Sequence, residues 1–156
     1  MEQTTEQLAP VTKRIEVPLE PEAAFDLFTA GMAQWWPMVS HSVSQSPTAM
    51  VRVEGHVGGG LVETDDEGRE HLWGSVTEWD RPSRVAFTWH PGRGAETAQS
   101  VTVSFAAAGA GTRVDLEHRG WERIGEFAAK QREAYEEGWD PVLDRFRELA
   151  AERPTP

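Results

Sequence analysis

The last third of the chain constrains the fold most. From Trp121 to Ala151, apolar side chains recur at steps of three and four residues or their sums: Ile124, Phe127, Ala128, Ala134, Tyr135, Trp139, Val142, Leu143, Phe146, Leu149 and Ala150. That spacing gathers them on one face of a long helix. Glu126, Lys130, Arg132, Glu133, Glu136, Glu137, Asp144, Arg147 and Glu148 fall on the opposite, solvated face. Gly138-Trp139-Asp140-Pro141 interrupts the pattern. Pro141 lacks a backbone donor and disfavours a helical residue before it, while Asp140 suits an N-cap. The sequence therefore predicts a kink or restart near Asp140, with Pro141–Glu152 as the final packed piece.

A helix with one apolar face needs a surface to cover, and the preceding residues supply a sheet. Residues 1–10 read as a disordered tail ending at Pro10, and 153–156 as a short one. Val11–Val17 alternates as a first strand. Pro21 opens a short helix to about Thr29 that buries Ala24, Phe25, Leu27 and Phe28, with Gly31 as its C-terminal cap. A further turn through Trp35 and Trp36 stops at Pro37. Residues 38–49 form a Ser-rich loop, either a cavity rim or a plain connector. Short strands follow: Met50–Val53, Leu61–Thr64, Glu70–Trp79, then runs around Val85–Trp89, Val101–Phe105 and Val114–His118. Gly58-Gly59-Gly60 reads as a tight turn or bulge that bends the sheet. Alternation in the last three strands gives one buried and one wet face. One helix cannot cover a wide twisted sheet, so the sheet must curl and leave a cavity. The fold class is α+β: a curved antiparallel sheet of six or seven strands on a long C-terminal helix, in a single domain over residues 11–152.

Composition excludes several functions. The 156 residues carry no cysteine, which rules out disulfides and thiolate chemistry. The net charge of −11, without a basic cluster, argues against nucleic acid and anionic membranes as partners. No apolar run approaches the ~20 residues of a membrane span, and residues 1–10 lack signal-peptide character. The expected location is the cytoplasm. No pair among the five histidines has zinc-motif spacing, and no Gly-x-Ser-x-Gly, phosphate loop or dinucleotide fingerprint occurs. No metal or cofactor is expected.

A set of motifs carries a family resemblance. They are Phe25-Asp26-Leu27-Phe28-Thr29, Trp35-Trp36-Pro37, Gly58-Gly59-Gly60, Trp73-Gly74-Ser75-Val76 and Phe87-Thr88-Trp89. Gly111-Thr112-Arg113-Val114, Leu116-Glu117-His118-Arg119-Gly120-Trp121 and Tyr135-Glu136-Glu137-Gly138-Trp139 continue the series. In order and spacing the chain resembles the SRPBCC superfamily over about residues 11–150, in particular the bacterial branch similar to the activator of heat-shock-protein-90 ATPase. The resemblance implies a START-like helix-grip fold with an apolar cavity. That superfamily includes lipid and hormone carriers, polyketide aromatases and cyclases, and stress-associated proteins.

Seven tryptophans point the same way, since each brings a large apolar surface and an N–H that needs a partner. Trp35, Trp36, Trp73, Phe87, Trp89, Tyr135 and Trp139 are the candidate cavity walls, with ordinary core as the plainer role for each. His118 shares the parity of Val114 and Leu116 and points inward. It is either a ligand contact or acid/base, or a structural histidine bonded to backbone or to Trp121, and the structural role is favoured. A catalyst needs two or more convergent polar groups, and the sequence offers one. The residues thus favour a module that binds a small hydrophobic or aromatic molecule, acting as a monomer or homodimer. The alternatives are a polyketide cyclase-like enzyme using His118 and a chaperone-associated interaction module.

Overall fold

In a computed structural model, residues 8–152 are described. The elements are β1 (Val11–Val17), α1 (Pro21–Phe28), β2 (Met50–Val53), β3 (Gly60–Thr64), β4 (Glu70–Asp80), β5 (Arg84–Trp89), β6 (Gln99–Ala108), β7 (Gly111–Arg119) and α2 (Ala128–Glu152). Single 3-10 turns lie at Met32–Gln34 and Ala95–Thr97, and a longer 3-10 segment spans Trp121–Phe127. The strands form one antiparallel seven-stranded sheet in the order β1-β7-β6-β5-β4-β3-β2. The sheet curls into a half-barrel around α2, the α+β helix-grip arrangement that the alternation requires.

Two register shifts help bend it, at Leu61/Val62 and at Val76/Glu78. The glycine run lies just before the first. Gly58 takes a φ of 91°, and the amide of Val76 donates to the Gly59 carbonyl at 2.7 Å. Gly74 meets a harder constraint: a Cβ there would fall 1.7 Å from the Thr88 carbonyl oxygen, so β4 and β5 can approach this closely only through glycine.

The buried face of β5, β6 and β7 carries Val85, Phe87, Trp89, Val101, Val103, Phe105, Val114, Leu116 and His118. α1 buries the four residues expected of it. Phe25, Phe28, Phe105, Trp35 and Phe146 form a chain of mostly edge-on ring contacts that joins α1, the sheet and α2. Gly31 is not a left-handed cap: its φ is −92°, and Thr29 occupies the C-cap while its hydroxyl donates to the Phe25 carbonyl.

The C-terminal helix departs from expectation at two points, its start and the Asp140-Pro141 step. It begins at Ala128 rather than Trp121, because Gly125 takes a non-helical φ of 86° and breaks the 3-10 segment from the helix. The phase of the stripe resets there, which leaves Phe127 56% exposed. No restart occurs at Asp140: α2 runs through Pro141 without interruption. Trp139, Val142, Leu143, Phe146 and Ala150 are buried on both sides of the proline, and this packing outweighs one missing hydrogen bond.

Residues 8–10 lie against the fold. Leu8 packs on the core, and Arg132 donates to the carbonyls of Ala9 (2.5 Å) and Pro10 (3.1 Å). The remaining tail residues, 1–7 and 153–156, lie outside the described residues. Among the described residues no helix is long and apolar enough to cross a membrane.

Candidate functional site

A cleft of about 420 Å³ opens beside α2 along Gln131–Val142. Its floor and walls are Trp36, Trp89, Trp139, Tyr135, Ala134 and Val142. Its rim comes from Ser40–Val43, from Pro91 and Gly92, and from Gln131 and Gly138 of α2.

The three cleft indoles contact one another, with ring centroids 5.7 Å apart for Trp36–Trp89, 5.9 Å for Trp36–Trp139 and 5.7 Å for Trp89–Trp139. Each N–H is already engaged. Trp36 donates to the His41 carbonyl (2.7 Å), Trp89 to the Tyr135 hydroxyl (3.0 Å) and Trp139 to Nδ1 of His118 (3.0 Å). What the rings offer the cleft is therefore apolar surface held in fixed orientations. The Tyr135 oxygen accepts from Trp89, while its own proton has no acceptor among the described residues. Burial pushes that phenol's pKa up, partly offset by the Trp89 donor.

Of the residues marked in the sequence, Trp36, Trp89, Tyr135 and Trp139 line the cleft, and Trp35, Trp73, Phe87 and His118 do not. Trp35 donates to the Leu27 carbonyl and packs between Phe28 and Phe146. Trp73 sits behind the wall against Trp36 and Trp89. Phe87 supports Trp89 from within the core. His118 is 0% exposed and stacks on Trp121 at 4.1 Å. Its partners are side chains, not the backbone. Since Trp139 donates to Nδ1, the imidazole proton sits on Nε2 and is donated to Gln99 Oε1 at 3.1 Å. Both nitrogens are committed, and burial pushes its pKa down to about 3. A neutral, fully bonded ring of this kind holds the core together.

The sequence marks the loop 38–49 as a cavity rim or a connector without singling out Ser40 or His41 in it, and it gives no site role to Gln131 and Gly138 at the rim or to Glu63 behind it. Glu63 is 0% exposed, yet among the described residues no cation pairs with it. Its carboxylate accepts from the Val43 amide (2.8 Å), the Ser44 amide (3.0 Å), the Ser44 hydroxyl (2.5 Å) and the Trp73 indole (3.0 Å). Burial works to raise its pKa, but the Ser44, Val43 and Trp73 donors outweigh it and hold the group below the usual carboxylate range. The buried acid thereby ties the rim loop to β3 and to the tryptophan wall. Its signal was present: Glu63 shares parity with buried Leu61.

A curled antiparallel sheet gripping a C-terminal helix over an aromatic cleft defines a START-like protein of the SRPBCC superfamily. Within it, the chain belongs to the family of activator of Hsp90 ATPase homolog 1-like proteins, whose pattern matches residues 18–151. Among solved structures it is similar to the anthrahydroquino-gamma-pyrone synthase Txn09, at 34% identity over 94% of this chain and 99% of that one, with a TM-score of 0.64. It is also similar to CalC, a self-sacrificing resistance protein from Micromonospora echinospora, at 27% identity over 92% and 95% of the two chains, TM-score 0.67. The Aha1 dimer from Colwellia psychrerythraea, at 16% identity over 92% and 96% and a TM-score of 0.65, shares the fold. No curated protein matches the chain.

Proposed function

We propose that the cleft binds a flat, polycyclic aromatic molecule of polyketide type. One observation carries this: three mutually packed indoles with engaged N–H groups, beside a single phenol whose proton is unclaimed. Such a wall favours extended ring systems, and the phenol selects a carbonyl or phenolate oxygen on them. A second reading, ring closure on such a molecule, draws support from the 34% identity to a pyrone synthase.

Titration with 1,8-dihydroxyanthraquinone, followed by tryptophan fluorescence and calorimetry, tests the binding reading. Saturable one-to-one quenching is expected, weakened at least about tenfold, ~1.4 kcal/mol, in Trp36→Leu and Trp89→Leu. If variants that remain folded bind as tightly as the parent protein, the cleft is not the site.

A further inference from the structure

We propose that His41 and Tyr135 form a proton-transfer pair across the cleft, with His41 Nε2 as base and the Tyr135 hydroxyl as acid. The 34% identity to a γ-pyrone synthase points to the substrate class, a phenol that carries an ortho 1,3-dicarbonyl chain, from which a γ-pyrone closes. The proposal rests on the reading of the cleft as a site for polycyclic aromatics, and it names the chemistry done there.

The first support is how His41 is held. Its amide donates to the Pro37 carbonyl at 2.9 Å and its carbonyl accepts from the Trp36 indole at 2.7 Å, so the backbone beneath the ring is fixed on both sides. Ser40 Oγ lies 2.6 Å from Nδ1. In the tautomer that carries its proton on Nδ1, the ring donates to Ser40 and Nε2 presents a lone pair to the cleft that His41 lines. Ser40 is the positioning residue for that tautomer.

The second support is Gly138. Glycine inside a helix costs about 1 kcal/mol relative to alanine, and this one faces His41: a Cβ built on it would lie 3.9 Å from Nε2. The missing side chain leaves open the space in front of the lone pair. Tyr135 is one turn earlier on α2, on the same helix face, with its proton unclaimed by protein. A base and an acid thus border the same aromatic cleft, which meets the requirement for convergent polar groups that His118 does not.

The reaction balances without an oxidant or reductant. His41 takes the phenolic proton, and the phenolate oxygen adds to the distal carbonyl carbon. The carbonyl electron pair becomes an alkoxide that takes the Tyr135 proton, giving a cyclic hemiketal. The proton on the imidazolium then returns to the tyrosinate. In the second half His41 removes a proton from the carbon between the carbonyls. The hemiketal hydroxyl leaves with the Tyr135 proton as water, the ring double bond forms, and the imidazolium proton returns to the tyrosinate. The product is a γ-pyrone and one water.

The test uses the full chain with 2-hydroxydibenzoylmethane, which closes to flavone and water. Dissociation constants come from fluorescence and turnover from absorbance. The parent protein is expected to accelerate closure. His41→Ala and His41→Gln should keep the dissociation constant within about twofold and lose kcat by about 10²-fold or more, with added imidazole restoring part of the rate to His41→Ala. Tyr135→Phe should lose kcat by about tenfold or more. Full turnover in His41→Ala overturns the proposal, and so does a parent protein that binds the diketone without accelerating its closure; in both cases the binding reading stands. Absence of any binding of the diketone or of 1,8-dihydroxyanthraquinone overturns both.

Discussion

The Trp139 indole N–H donates to Nδ1 of His118 across 3.0 Å, and this one bond decides what the histidine is. It fixes the tautomer, completes a relay from α2 through β7 to Gln99 on β6, and leaves no nitrogen free for a ligand. The same burial gives the pair a pH signature. The folded-state pKa of His118, about 3, lies below the unfolded value of about 6.5. Above pH 6.5 the group costs nothing. Below it the unfolded chain takes up a proton that the folded chain refuses, so stability falls by up to about 1.4 kcal/mol per pH unit until about pH 3. Replacement by Gln should lower stability at pH 7 by roughly 2 kcal/mol and remove that share of the acid slope. Urea unfolding of both proteins from pH 7 to 4.5 measures it; parallel slopes would clear His118 as the titrating group.

Glu63 should show a different acid dependence. Its folded pKa lies below the ordinary carboxylate value. Its contribution is therefore present above about pH 4.3 and lost as pH falls through the lower folded value. Glu63→Gln replaces an acceptor-only group with one that must aim N–H bonds at other donors among Val43, Ser44 and Trp73. A loss of roughly 2–4 kcal/mol is expected. The rim loop should loosen first, seen as at least about tenfold faster hydrogen exchange at the Val43 and Ser44 amides. Unchanged exchange at those amides would refute the tether.

Lys13 on β1 reaches two carboxylates of α2, Glu136 at 2.8 Å and Asp140 at 2.9 Å. These acids stand one turn apart on the helix, so removing the cation leaves like charges facing each other. Lys13→Met should cost about 1 kcal/mol at low salt, with the difference from the parent shrinking in 1 M NaCl. Thermal melts at both salt concentrations check this; a deficit independent of salt would indicate lost packing instead.

The elements were legible wherever side-chain period and burial agree. Val101, Val103 and Phe105 alternate in sequence and all lie on the buried face, and Val114, Leu116 and His118 do the same. α1 was readable from Pro21 and its apolar spacing. Pro141 misled because a local rule for helix ends lost to packing on both sides of it. Trp121 to Phe127 misled because the periodicity continues across Gly125 while the backbone does not. The site was half legible. Aromatic residues mark a wall without saying which faces stay uncovered, so Trp36 and Trp89 could not be told from Trp35 and Trp73. His41 lies in a loop with no period, and its placement depends on the Trp36 indole and on Gly138 across the cleft.

Gly138 sets stability against access. It is a mid-helix glycine with an ordinary helical backbone, absent from the positive-φ residues. Alanine there relieves the helix cost and restricts the unfolded chain, so Gly138→Ala should raise stability by about 0.5–1 kcal/mol. The added methyl meets no backbone; its nearest neighbour is His41 Nε2 at 3.9 Å, ordinary contact that needs no shift. The same methyl stands in the space where a ring would lie. Affinity for 1,8-dihydroxyanthraquinone should therefore fall about three- to tenfold, ~1 kcal/mol, in the more stable protein. Paired thermal melts and fluorescence titrations decide it. A variant that gains stability and binds as well as the parent would place the ligand away from the His41–Gly138 gap, and a variant that loses stability would mean that the loop cannot accept even this contact.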